Sequence, residues 1–145
     1  MKKFLFLLVW FPLITYGQEV PKEYRKMKTI VVSPTLPSED WLKEIGNIMI
    51  DEGFEIEKLD REFNLINTSP KNISGLDWQI RVRIKNNLAE ITHYGRNNIY
   101  SNQNTGSPLI QMDFSAGMNK SPLRQASDGV YQFAKKIGDI VNWIE

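Results

Sequence analysis

One stretch constrains the fold of this chain more than any other: Leu76 to Tyr94, LDWQIRVRIKNNLAEITHY. Trp78, Ile80, Val82 and Ile84 alternate with Gln79, Arg81, Arg83 and Lys85, the period-2 pattern of a strand with one buried face and one wet face. Asn86-Asn87 follows, and asparagine tolerates positive φ better than other non-glycine residues, so the pair suits a two-residue primed turn. Folding about that turn sets Ile84 opposite Ala89, Val82 opposite Ile91 and Ile80 opposite His93. On the other face it sets Arg83 opposite Glu90 and Arg81 opposite Thr92. The chain must therefore build a sheet with an apolar face and a basic face, and other elements must cover the apolar one.

Two helical stripes are available for that cover. After Pro34 and Pro37, Ser38 is a good N-cap with Glu39 and Asp40 favourable in the first turn. Trp41, Leu42, Ile45, Ile48 and Met49 then share one helical face, and Gly53 is a natural terminator. Near the C-terminus Val130, Phe133, Ala134, Ile137, Ile140, Val141 and Ile144 recur at spacings of three and four, which predicts a helix over 126–145 capped by Ser127 or Ser121. Between these lie short β signals. Lys28 to Ser33 reads as a first strand. Phe54 to Pro70 reads as a second hairpin turning around Asp60 to Asn64. Strict alternation would put Phe54 and Ile56 on one face of that hairpin but Leu59 and Ile66 on the other; a bulge near Lys58 would reconcile them, and the register of the hairpin stays open. Lys71 to Gly75 reads as a connector, Gly95 to Pro108 as a long surface loop, and Leu109 to Ser115 as a possible last strand. This order predicts an α+β fold: a two-layer sandwich with an antiparallel sheet of about four to six strands and two helices packed on one face.

The first residues stand apart from that pattern. Lys2-Lys3, the apolar run FLFLLVWFPLI and Thr15-Tyr16-Gly17 make the three parts of a secretory signal peptide over residues 1–17, with cleavage near Gly17. The run is too short for a bilayer core that needs about 20 residues, and no cysteine follows to carry a lipid. The expected product is exported, periplasmic or extracellular, and has no membrane span. A flexible lead-in at 18–27 and one domain at 28–145 follow. Removing 17 of the 145 residues leaves 128 and takes the net charge from +1 to −1, because Lys2 and Lys3 go with the leader. That near-neutral balance gives no drive toward nucleic acid. The absence of cysteine excludes disulfides, thiol nucleophiles and thiolate metal sites.

No catalytic constellation is visible. His93 is the single histidine, and the hairpin register places it on the apolar side. There is no Gly-x-Ser-x-Gly stretch, no phosphate-cradling glycine motif and no carboxylate cluster with metal-ligand spacing, so the sequence indicates neither an enzyme nor a cofactor. The basic face is the first binding candidate: Arg81, Arg83 and Lys85, with Tyr94 beside them across the hairpin, or else a surface whose charges are neutralised by Glu90, Glu55 and Glu57 on neighbouring strands. A second is the loop after the hairpin, with Arg96, Ile99 and Tyr100. A third is an apolar-ligand pocket between sheet and C-terminal helix near Trp78, His93 and Phe133. The oligomeric state is open.

Gly53-Phe54-x-Ile56, then Asp60, then Asn64-x-Ile66-x-Thr68-x-Pro70 resembles a pattern found in BamC-like domains of bacterial envelope and secreted proteins, which have a TATA-binding-protein-like or helix-grip arrangement. Asn64 stands where glycine is usual in that pattern, and the lipidated cysteine of a BamC-type lipoprotein is absent. The resemblance implies a non-enzymatic domain that binds another envelope or surface protein, and it carries no catalytic residues. The alternative function is that of a carrier for a small apolar ligand.

Overall fold

The computed structural model describes residues 19–35, 40–97, 108–114 and 120–145. In chain order its elements are β1 (Thr29–Pro34), α1 (Trp41–Asp51), β2 (Ile56–Asp60), β3 (Leu65–Thr68), β4 (Lys71–Ile73), β5 (Leu76–Lys85), β6 (Leu88–Asn97), β7 (Ile110–Gln111), α2 (Pro122–Ile137) and β8 (Gly138–Ile144), with one 3-10 turn at Lys22–Tyr24 ahead of them. The central hairpin is β5 and β6. Asn86 and Asn87 sit at φ 50° and 60°, the left-handed pair that a primed turn needs. Its register is the expected one, with Ile80 opposite His93, Val82 opposite Ile91 and Arg83 opposite Glu90.

All pairings are antiparallel, in the order β2-β3-β5-β6-β1-β8, with β4 also on β5 and β7 also on β6. Because β6 pairs with β5 along its whole length, β3 and β4 must share the other side of β5, end to end, as β1 and β7 share the far side of β6. Eight strands therefore occupy six rows. This is more than the four to six strands that the element order predicts, and the result is an α+β fold with a broad, open sheet and two helices rather than a plain two-layer sandwich. One extra strand is the segment read as a connector: Lys71 to Ile73 pairs with β5. The register of the β2–β3 hairpin, open in the sequence, includes a shift between Ile56 and Lys58 that reconciles the two faces.

The larger correction is at the C-terminus. The helix expected over 126–145 starts earlier, with Ser121 Oγ accepting from the Arg124 N–H, and stops at Ile137. Gly138 is the reason it stops there. A Cβ on it would lie 2.1 Å from the Ser33 carbonyl oxygen, so only glycine lets the chain leave the helix and turn at once against β1. Ile140, Val141 and Ile144 satisfy helical spacing, but they are β-branched and serve the sheet edge instead. A register shift opposite Val31 and Val32 breaks their alternation, which hid the strand.

Ile30, Val32, Ile66, Trp78, Ile80, Val82, Ala89 and Ile91 on one face of the sheet join Leu42, Ile45 and Met49 of α1 and Val130, Phe133, Ala134 and Ile137 of α2 in one hydrophobic core. Asp40 caps α1, its carboxylate accepting from the Lys43 N–H, while Ser38 lies outside the described residues. Glu19 to Met27, read as a flexible lead-in, is anchored at several points. Val20 is 2% exposed and its N–H donates to Asp128, Arg124 bridges Glu19 and Asp128, and the Tyr24 ring stacks on Trp143 at 4.6 Å. The signal-peptide residues lie outside the described residues.

Candidate functional site

Residues of both helices join one face of the sheet in the core, and the register fixes what the other face presents. Side chains paired across strands share a face, so Lys58 and Asp60 of β2, Leu65 and Asn67 of β3, Arg81 and Arg83 of β5, and Glu90, Thr92 and Tyr94 of β6 all point away from the core. At the centre of this face Leu65, Arg81, Arg83, Glu90, Thr92, Tyr94 and Gln111 line a shallow cleft of about 260 Å³. Arg81 is held rigidly. Its Nε donates to Asn67 Oδ1 at 2.9 Å, its Nη1 donates to the Tyr94 hydroxyl at 3.1 Å, and its guanidinium lies 4.7 Å from the Tyr94 ring centre. These contacts also fix Tyr94.

The expected neutralising acids do not pair with the bases. Asp60 is engaged by Lys58 at 2.9 Å and Asp77 by Arg96 at 3.1 Å. Glu90 stands opposite Arg83 in register, yet among the described residues no ion pair joins Arg81, Arg83 or Lys85 to a carboxylate. The predicted face residues thus come together in part: Arg81, Arg83 and Tyr94 share the cleft, whereas Lys85 lies at the turn end of β5 and does not line it. Thr92 was readable from the hairpin register. Asn67, Leu65 and Gln111 depend on which strands flank the hairpin, and no local pattern carries that information.

The other two candidate sites are placed differently. Arg96 belongs to β6 rather than to a loop, and two hydrogen bonds tie it to Asp77. Ile99 and Tyr100 lie outside the described residues. Trp78, His93 and Phe133 are 4%, 0% and 1% exposed, packed in the core with Phe54 edge-on to both Trp78 and Phe133. None of the four described clefts is lined by them. His93 stacks on Phe114 at 4.6 Å, and neither ring nitrogen finds a hydrogen-bond partner among the described residues. Burial pushes its pKa down to about 4, against the opposing pull of the Asp113 backbone and charge.

A larger cleft of about 500 Å³ lies beside the N-terminus of α1, lined in part by Trp41, Ile84, Asn64 and Asn87. Its two charges are matched to each other: Arg61 Nη1 donates to Asp40 at 3.0 Å, which together with the Lys43 N–H holds the Asp40 carboxyl below its ordinary range. Among the described residues no group of three or more His, Asp or Glu side chains is placed to hold a metal ion, and no helix is long and apolar enough to cross a membrane. Both sheet edges carry register shifts, in β2 and along β8, and bulges of this kind blunt strand addition. On β8 the Trp143 N–H is further occupied by the Asn142 side chain at 2.9 Å.

Fold and site together define an α+β chain that offers a donor-rich, solvent-open sheet face. The sequence matches no family model and no curated protein.

Proposed function

We propose that the chain is an exported, non-enzymatic protein-binding module of the bacterial cell envelope, of the BamC-like kind, which holds its partner on the open face of the sheet. One observation carries this reading: Arg81, Arg83 and Tyr94 line a solvent-open cleft in which neither arginine is paired with an acid among the described residues. Arginine and tyrosine are the side chains most often found at the energetic centres of protein interfaces. Arg81 is already ordered by Asn67 and Tyr94, so little side-chain entropy is lost when a partner docks there. Export rests on the Lys2-Lys3 and FLFLLVWFPLI leader.

The alternative, an apolar-ligand carrier gripped at Trp78, His93 and Phe133, has less support. Those side chains pack in the core, and they line none of the four described clefts. The test is affinity capture from gently solubilised envelope of the source cell, comparing the wild type with an Arg81→Glu/Arg83→Glu variant at low and high salt. Specific partners retained by the wild type, weakened by salt and lost by the variant are expected. The same partners on both proteins would refute the sheet-face reading.

A further inference from the structure

We infer that the group received by the cleft is a carboxylate: an aspartate or glutamate side chain from an acidic, extended segment of the partner protein. The inference rests on the sheet-face reading and adds its chemistry. Hydrogen-bonding capacity in the cleft is lopsided. Arg81 uses Nε on Asn67 and Nη1 on Tyr94, and its Nη2 has no partner among the described residues. The Tyr94 oxygen accepts from Arg81, which leaves its own O–H proton to donate, and no acceptor for that proton occurs among the described residues. Arg83 is exposed and has no hydrogen bond or ion pair among the described residues, so its whole fork of N–H donors is available. The one fixed anionic acceptor in the lining is Glu90. A site with this excess of donors selects an electron-rich, acceptor-only group, and a guanidinium fork matches a carboxylate through two parallel hydrogen bonds.

Size and spacing favour a side chain of a protein over a free metabolite. The volume of about 260 Å³ falls below the roughly 300–1,000 Å³ of small-molecule pockets. Arg81 and Arg83 are two residues apart on one strand, so their stems repeat at about 7 Å. An extended segment lying along β5 presents alternate side chains at the same repeat, and acidic residues two apart meet the two arginines in step.

The probe is a blocked peptide of alternating glutamate and alanine, titrated into the purified chain and followed by amide and guanidinium NMR shifts. Its glutamine-alanine counterpart and inorganic phosphate serve as the comparison arms. Saturable shifts confined to Arg81, Arg83, Thr92 and Tyr94 are expected, with affinity about tenfold weaker for the glutamine peptide. About the same loss is expected on Arg83→Gln, whose urea unfolding should match the wild type because the side chain is exposed. Equal binding of the two peptides, an unaffected Arg83→Gln variant, or displacement of the peptide by phosphate at comparable concentration would each overturn the inference, the last by making the cleft a general anion site. If the peptides fail while the double reversal still abolishes partner capture, the carboxylate inference falls and the sheet-face reading stands. If the reversal leaves capture unchanged, both fall.

Discussion

Acidification from about pH 8 to pH 4 should remove about 3 kcal/mol of stability, and His93 should account for it. The ring is fully buried against Phe114, and burial holds its pKa at about 4 rather than 6.5. Because the folded value lies below the unfolded one, the unfolded chain takes up the proton first. The contribution is therefore complete above about pH 6.5 and is lost as pH falls toward 4. Treated as a single site, the loss is about 2 kcal/mol by pH 5 and about 3 kcal/mol by pH 4. Against a total of about 5–15 kcal/mol for a domain, that is easily measured. Asp40 and Asp60 bear mainly on lower pH: Arg61 and Lys58 respectively hold their carboxyls below the ordinary 3.8, so most of their contribution is lost below about pH 4. The assay is urea unfolding across this pH range for the wild type and for His93→Leu. The leucine variant should lose the slope between about pH 4.5 and 6.5 and, having no buried ring nitrogens to leave unpaired, should be at least as stable as the wild type at pH 5. A wild type flat across the window, or a leucine variant with the same slope, would refute the assignment.

Other substitutions probe the fold and the site. Gly138→Ala should cost about 3 kcal/mol in urea unfolding, since its Cβ meets the Ser33–Thr35 backbone at 2.1, 2.8 and 2.9 Å; a cost near zero would mean that the junction between α2 and β8 has room. Phe133→Ala should cost about 3–5 kcal/mol through the cavity it leaves beside Phe54 and Ala134, read in the same assay. Arg124→Leu should cost about 2 kcal/mol and speed protease cleavage between Val20 and Met27, because Arg124 is the bridge from Glu19 to Asp128. Unaltered proteolysis would show that Val20 and Tyr24 anchor the segment unaided.

What the sequence made legible follows from the range of the physics involved. The β5–β6 hairpin was readable to the residue because alternation and the Asn86-Asn87 turn are local signals, and a slip of one residue would have buried Arg81 and Arg83. That the Phe54–Pro70 hairpin needs an irregularity was legible, because Ile56 and Ile66 fall on opposite faces in strict alternation, but its place and the hairpin's register rest on pairing with β5. The C-terminal strand was not, since Ile140, Val141 and Ile144 fit helical spacing equally well. What decides their conformation is Gly138 against the Ser33 carbonyl, a contact more than a hundred residues apart in the chain. The cleft divides in the same way. Arg81, Arg83 and Tyr94 followed from the hairpin, whereas Asn67, which orders Arg81, and Gln111 arrive from strands whose neighbours no local pattern specifies.

If the exposed Arg83 guanidinium, which has no ion pair among the described residues, recruits the partner, its charge should govern capture. The test is quantitative capture from the source envelope by the wild type and by Arg83→Gln alone, after urea unfolding has established equal stability. Arg83 makes no hydrogen bond or ion pair among the described residues, so the neutral glutamine removes no contact of the fold, sets no second acid opposite Glu90, and changes the charge offered to a partner. Equal stability with capture reduced at least about tenfold is expected, the loss growing smaller as added salt screens the face. Equal capture by two equally stable proteins would contradict it.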